Sequence, residues 1–319
     1  NVPGVEINLP SVTERDKTFI EMAIDSGVDF IAHSFVRNKQ DVLDVQNILD
    51  AKNSPIKIIA KIENREGVEN LDEILEVVYG VMVARGDLGI EIPGYEVPLV
   101  QKDMIERCIK AKVPVITATQ MLESMIQNPR ATRAEISDVA NAVLDGTDAL
   151  MLSGESAYGD YPFEAVETMA NIAKHVEENT ANGINLDSSD NIDHLQEYIC
   201  KQVAKSARDL DVDAIVVPTA TGSTVRQIAS HRPSAKIYAA CYKPESLRLL
   251  SLSYGVEAYL IDVEKRKDVI KTSIAPLLEN GILSDDSLVV IAKSAQGSPK
   301  GETNRMEINT VASFINRVN

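Results

Sequence analysis

No stretch of the 319 residues approaches the roughly 20 consecutive apolar residues that a membrane-spanning helix requires. The opening NVPGVEINLP likewise lacks the basic and apolar regions of a secretory signal. Both absences lead to the expectation of a soluble, cytoplasmic protein with no membrane partner. Cysteine is scarce: Cys108, Cys200 and Cys241 are odd in number and far apart, which fits neither a disulfide framework nor a zinc pattern, and buried reduced thiols are expected. Histidine is scarce too. His33 has no acid at the spacing of a nucleophile triad, and His175, His194 and His231 fall in or beside helix-period segments, so none is given a catalytic role. There is no internal repeat and no low-complexity tract. What is present, 44% hydrophobic and 25% charged residues, is ordinary globular composition; it excludes fibrous, collagen-like and disordered classes, and the length suggests about two domains.

The net charge of −16 is unevenly spread. Residues 1–200 carry 35 Asp and Glu against 16 Lys and Arg, giving −19, while residues 201–319 carry 13 against 16, giving +3. An acidic first part repels nucleic acid and anionic membrane, and it would handle an anionic substrate only with a metal or local basic groups beside it. The second part is electrostatically open to an anion.

Apolar, β-branched runs recur in the first part at Asp29–Phe35, Ile56–Ile62, Gly80–Arg85, Pro114–Thr119 and Asp148–Ser153. Amphipathic segments separate them, for example EGVENLDEILEVV from Glu66 and ATRAEISDVANAVLDG from Ala131, the latter stopping at Gly146. Strands apolar on both faces and separated by helices indicate a parallel sheet, so the class is α/β. Nearly every run ends in reactive side chains: His33 and Ser34, Lys61 and Glu63, Arg85 and Asp87, Thr117 and Thr119, Ser153 and Glu155. A barrel gathers such ends into one ring whereas an open sheet splays them apart, which favours the last five units of an incomplete (β/α)8 TIM barrel, in a chain that reads as starting in mid-fold. The polar segment NTANGINLDSSDNID reads as a linker. Expected boundaries are 1–181 for the partial barrel, 182–193 for the linker and 194–319 for a smaller α/β domain with strand runs DAIVVPT, KIYAAC, VEAYLI and SLVVIAK.

Lys61 and Glu63 are two apart at a strand end, so both side chains share a face, and Asp87 follows the next strand about 4.8 Å away. Two carboxylates with waters and substrate oxygens suit Mg²⁺ or Mn²⁺; an ion pair at the rim is the competing reading. Gly86 allows a backbone N–H to approach a carboxylate or phosphate closely, and Lys61 would place fixed positive charge where negative charge develops. The hydroxyls of Thr117, Thr119 and Ser153 fit either substrate contacts or helix caps. In the second part, Thr219-Ala220-Thr221-Gly222-Ser223-Thr224 follows a strand and opens a helix, so it is a phosphate cradle or a capped loop. It is neither a Walker loop nor a dinucleotide fingerprint. A second glycine-bearing loop, SAQGSPKGETN from Ser294, carries Lys300 and Gly301, and would meet the first if their strands are parallel neighbours.

KIENREGVENLDEIL from Lys61, VARGDLGIEI from Val83, TATQMLESMIQNPRATRAEISDVANAVLDGTDALMLSGESAYGDYP from Thr117 and IAHSFVR from Ile31 together resemble pyruvate kinase through almost all of residues 1–180. The second domain looks like that family's C-terminal regulatory domain, with TATGST and KGETN on either side of an effector pocket. The resemblance implies a glycolytic phosphotransferase, homotetrameric and cytoplasmic, moving the phosphoryl group of phosphoenolpyruvate to ADP to give pyruvate and ATP. It implies Mg²⁺ or Mn²⁺ on Glu63 and Asp87, with Lys61 stabilising the transferring group. The Arg85 and Gly86 backbone with Thr119 would hold the substrate carboxylate, and Ser153 would lie near the proton path to the enolate. Thr219, Thr221, Gly222, Ser223, Thr224, Lys300 and Gly301 would receive a phosphorylated metabolite as effector. K⁺ is implied as well, its ligands mostly outside this chain, as are the family's first three barrel strands and its lid, so the chain alone is expected to be inactive. A metal-dependent lyase or aldolase of the phosphoenolpyruvate/pyruvate barrel group, or a non-catalytic regulatory fragment, would share part of these features.

Overall fold

Short apolar runs that end in polar residues become strands in the computed structural model, which describes residues 10–180, 195–262, 268–294 and 303–316. They fall into two compact units, Asn1–Ala181 and Asn182–Asn319. In the first, β1 (Phe30–His33), β2 (Lys57–Ile62), β3 (Gly80–Ala84), β4 (Val115–Ala118) and β5 (Ala149–Met151) form one sheet in chain order with every pairing parallel. Each crossover therefore steps in the same direction, and right-handed connections lay the helices on one side. That is a sector of a (β/α)8 barrel, since a doubly wound sheet would reverse its order.

The strands are shorter than the apolar runs because their last residues turn into the loops: Phe35 and Thr119 adopt φ of 54° and 69°. β3 and β4 are buried throughout, as strands covered on both faces must be. Helices pack on the sheet through an apolar stripe, Val42, Val45 and Leu49 of Lys39–Ala51 against β2, and Met104, Ile105 and Cys108 of Val97–Ala111 against β3 and β4. Helix starts are chemically specified: at Arg133–Asp145 the Thr132 hydroxyl accepts from the Glu135 N–H while the Glu135 carboxylate accepts from the Thr132 N–H. That helix ends at Gly146, whose φ of 91° suits glycine. The amphipathic segment from Glu66 is not one helix but two, Arg65–Glu69 and Leu71–Leu75. They part at Asn70, whose side-chain amide donates to the Arg37 carbonyl at 3.0 Å.

The second unit orders its strands β10-β9-β6-β7-β8, with β6 (Ala214–Thr219), β7 (Ile237–Cys241), β8 (Val256–Leu260) and β9 (Leu288–Lys293) parallel. β10 (Arg305–Thr310) is antiparallel on β9. Alternate residues of β6 face opposite layers: Ile215 and Val217 pack with Val203 and Val225, while Ala214 and Val216 pack with Ile274 and Phe314. The result is a doubly wound α/β unit, smaller than the first and reversing direction between β6 and β9. β10 was not among the expected strands, because RMEINT is half polar; only Met306 and Ile308 turn to the core, as an edge strand requires. All three cysteines are buried as reduced thiols. Among the described residues no helix is long and apolar enough to cross a membrane. The expected linker 182–193 lies outside the described residues.

Candidate active site and effector loop

The register pairs Lys61 with Met82 and Val83 with Thr117, so the ends of β2, β3 and β4 stand side by side. Lys61, Glu63, Gly86, Asp87 and Thr119 leave these three adjacent strand ends, and Ser34 and Ser153 leave their neighbours β1 and β5. Glu63 is 1% exposed. Its Oε2 accepts the Phe35 N–H at 2.7 Å, and the Lys61 ammonium lies 2.7 Å from Oε1. Lys61 also donates to the Ser34 hydroxyl at 3.0 Å. Its approach to Oε1 is not aligned as a hydrogen bond, so this buried oxygen has a neighbouring charge but no hydrogen-bond donor. The Lys61 ammonium compensates the charge of this oxygen, and a hard carboxylate oxygen left without a hydrogen bond suits an inner-sphere bond to a cation.

Asp87 stands in the first turn of the helix Arg85–Glu91, next to Gly86. Among the described residues there is no group of three or more His, Cys, Asp or Glu able to hold a metal. The donor set is therefore two carboxylates at most, hard oxygen ligands that leave coordination positions for water and substrate, which fits Mg²⁺ or Mn²⁺ and not a closed structural site.

The Gly86 N–H donates to the Thr119 hydroxyl at 2.8 Å, and that hydroxyl lies 2.6 Å from the Ala118 carbonyl. Both donors are therefore engaged within the turn, and a carboxylate bound here would take the Gly86 N–H and the Thr119 O–H from these partners. Thr117 is different: its hydroxyl bonds Thr147 at 3.0 Å inside the wall and is fully buried, so it neither caps a helix nor lines the site. The Arg85 side chain is spent on buried bonds to the Ala118 and Thr119 carbonyls, leaving only its backbone beside Gly86. Ser153 precedes the short helix Gly154–Ala157, and its N–H is fixed by Glu155 at 2.8 Å. Ser34 and Glu155 stand in the sequence as strand-end residues without roles; Ser34 meets Lys61, 27 residues away, and Glu155 meets Leu122, 33 residues away, as well as the nearby Ser153, and the distant partners give no local signal.

In the second unit the Thr219–Thr224 loop stands at the switch point, because β6 and β9 pair in parallel. Gly222, at φ 78°, precedes the helix Ser223–Ser230; a Cβ there would meet Leu250 at 2.9 Å. Thr219 accepts the Gly222 N–H at 2.9 Å, and Thr224 meets Thr303 at 2.5 Å, which ties the loop to the segment after β9. These two hydroxyls are buried, whereas Thr221 is exposed and Ser223 half-buried at the helix start. Lys300 and Gly301 lie outside the described residues.

Comparison with known proteins adds a second line of information. Residues 1–166 match the family model described as pyruvate kinase, barrel domain, and residues 197–309 match the one described as pyruvate kinase, alpha/beta domain. Over 99% of its length the chain is 47% identical to the pyruvate kinase of Borreliella burgdorferi, covering 67% of that protein. It is 49% identical to that of Bacillus licheniformis and 46% to that of Geobacillus stearothermophilus, covering 54% of each. The chain thus spans between about half and two thirds of the length of the curated relatives it matches.

Proposed function

The chain belongs to the pyruvate kinase family, and on that premise we propose that it serves glycolytic phosphoryl transfer from phosphoenolpyruvate to ADP, giving pyruvate and ATP. The observation that carries the reading is the buried Glu63, with its donor-poor oxygen beside Lys61 and one strand from Asp87. Phosphoryl transfer asks for positioning and charge neutralisation more than covalent chemistry, and these residues supply both.

Glu63 and Asp87 would hold the divalent ion, which when bound neutralises charge on the phosphoryl and enolate oxygens. Lys61 holds fixed positive charge at the transferring group, its ammonium steadied by Ser34. The Gly86 N–H and Thr119 hydroxyl would exchange their present bonds, to each other and to the Ala118 carbonyl, for the substrate carboxylate. Ser153 stands near the enolate carbon's proton path. The full assembly is read as a homotetramer that uses K⁺. A phosphorylated metabolite is the effector at Thr219, Thr221, Gly222, Ser223 and Thr224, with Lys300 and Gly301, which lie outside the described residues, as its further contacts; the helix start and the +3 charge of residues 201–319 support it. A lyase or aldolase reading leaves the match of the second unit unexplained.

Product analysis with the full-length protein tests the reading. Pyruvate and ATP are expected in equal amounts from phosphoenolpyruvate, dependent on ADP and Mg²⁺, with Lys61→Met slower by orders of magnitude, on the scale of about 10²–10³ for loss of one electrostatic stabiliser. Pyruvate released without ADP would overturn it.

A further inference from the structure

The segment Ala118–Leu122, which carries Thr119, has an unusual backbone. Thr119 and Gln120 sit in succession in the left-handed region, at φ 69° and 53°. For a β-branched residue this conformation is a genuine outlier that persists only where surroundings impose it. Two buried charged side chains of opposite sign meet this segment.

Arg85, 8% exposed, reaches it from the end of β3. Its guanidinium donates to three successive carbonyls, Ala118 at 3.3 Å, Thr119 at 2.6 Å and Gln120 at 3.2 Å, and its other nitrogen pairs with Asp138 at 2.7 Å. Glu155, 2% exposed, reaches it from the end of β5. One carboxylate oxygen accepts the Leu122 N–H at 3.0 Å and the other accepts the Ser153 N–H at 2.8 Å. The cation thus binds the carbonyl side of the turn. The anion binds its exit and, in the same step, the residue that begins the next loop.

We propose that Arg85 and Glu155 are positioning residues that clamp residues 118–122 between them, holding the left-handed turn that aims the Thr119 hydroxyl at the Gly86 N–H and fixing the distance from Thr119 to Ser153. Neither side chain needs to touch substrate. A planar guanidinium suits the task because it offers donors in a rigid fork to several carbonyls at once, which the point charge of lysine cannot. A carboxylate suits Glu155 because only two equivalent acceptors can serve two N–H groups; a glutamine would set its own NH₂ against one of them. The functional part rests on the roles proposed above for Thr119 and Ser153.

The test compares Arg85→Lys, Glu155→Gln and the double variant in the full-length enzyme. Each single variant is expected to lose about 10²-fold in kcat/KM for phosphoenolpyruvate, the scale of a misplaced binding group, while KM for ADP and Mn²⁺ affinity stay within about twofold. Because both act through one segment, the double variant should lose little more than the worse single variant, whereas independent effects would multiply. Gln120→Gly, which suits the left-handed backbone at that position, should recover part of the loss in the Arg85→Lys background. If Arg85→Lys does not accumulate as soluble protein, the same rescue is expected to appear as recovered solubility. Amide hydrogen exchange is a readout that does not depend on activity. In Glu155→Gln, peptides covering Leu122 and Ser153 should exchange at least about tenfold faster, with the helix Val97–Ala111 unchanged. Multiplicative losses, equal losses for ADP and Mn²⁺, no rescue by Gln120→Gly, or unchanged exchange would each overturn the clamp. An unaltered enzyme that forms no pyruvate would overturn the phosphotransfer reading instead, and the clamp would then be judged on exchange.

Discussion

At the residue scale, the site hinges on how few donors surround Glu63. Its carboxylate is buried, takes one backbone N–H, and keeps one oxygen beside Lys61 without a hydrogen bond. Removing its charge should cost more in metal affinity than in folding, because no buried partner is orphaned except the Lys61 ammonium, which is one quarter exposed. Glu63→Gln and Asp87→Asn are expected to weaken Mn²⁺ binding by about 10–100-fold and to slow phosphoryl transfer by orders of magnitude. Unchanged Mn²⁺ affinity in both, measured by titration, would remove them as ligands. The proximity of Lys61 and Glu63 was legible in the sequence, since a spacing of two at a strand end puts both on one face. The direction of Arg85 was not: its partners Ala118 and Asp138 are 33 and 53 residues distant, and nothing in the string RGD tells a site-lining arginine from one turned inward.

At the element scale, the strands of the first unit were legible because burial on both faces forces continuous apolar runs, and their order followed because consecutive βα units step to the next position. Breaks and edges were less so. At the split, Asn70 bonds the carbonyl of Arg37, 33 residues away, and β10 is a half-polar edge strand with only alternate residues in the core. The helix Arg133–Asp145 offers a pH test of how local chemistry sets an element. Burial raises the pKa of Glu135, but hydrogen bonds from Ser124 and Thr132 outweigh it and the net direction is down. A carboxylate depressed in the folded state contributes stability that is fully present above its unfolded pKa of about 4.3 and is lost as pH falls through the lower folded value. Glu135→Gln is therefore expected to cost about 1–2 kcal/mol at neutral pH and to remove part of the stability loss below about pH 4. Urea midpoints at pH 7 and at mildly acid pH check both; parallel pH profiles for the two proteins would show that Glu135 adds no acid sensitivity.

At the scale of the whole molecule, five parallel strands carry a site that a barrel would close with eight. β1 pairs only with β2 and β5 only with β4, so among the described residues the sheet has two open edges, each a row of unpaired backbone donors and acceptors. Lys61 on an interior strand, and Glu63 and Thr119 just after interior strands, keep their local partners without closure. Catalysis asks for more, because water must be excluded from the ring of strand ends and the nucleotide must be held over it. A polypeptide of these 319 residues alone is therefore expected to show two things together. It should bind Mn²⁺ through Glu63 and Asp87 but turn over phosphoenolpyruvate with ADP, Mg²⁺ and K⁺ far below the ordinary enzyme range of about 1–10³ s⁻¹. It should also associate through its sheet edges, seen as concentration-dependent sedimentation. Turnover within that range by a monodisperse preparation of verified intact mass would mean that five strands suffice, and that closure contributes stability to this barrel but not chemistry.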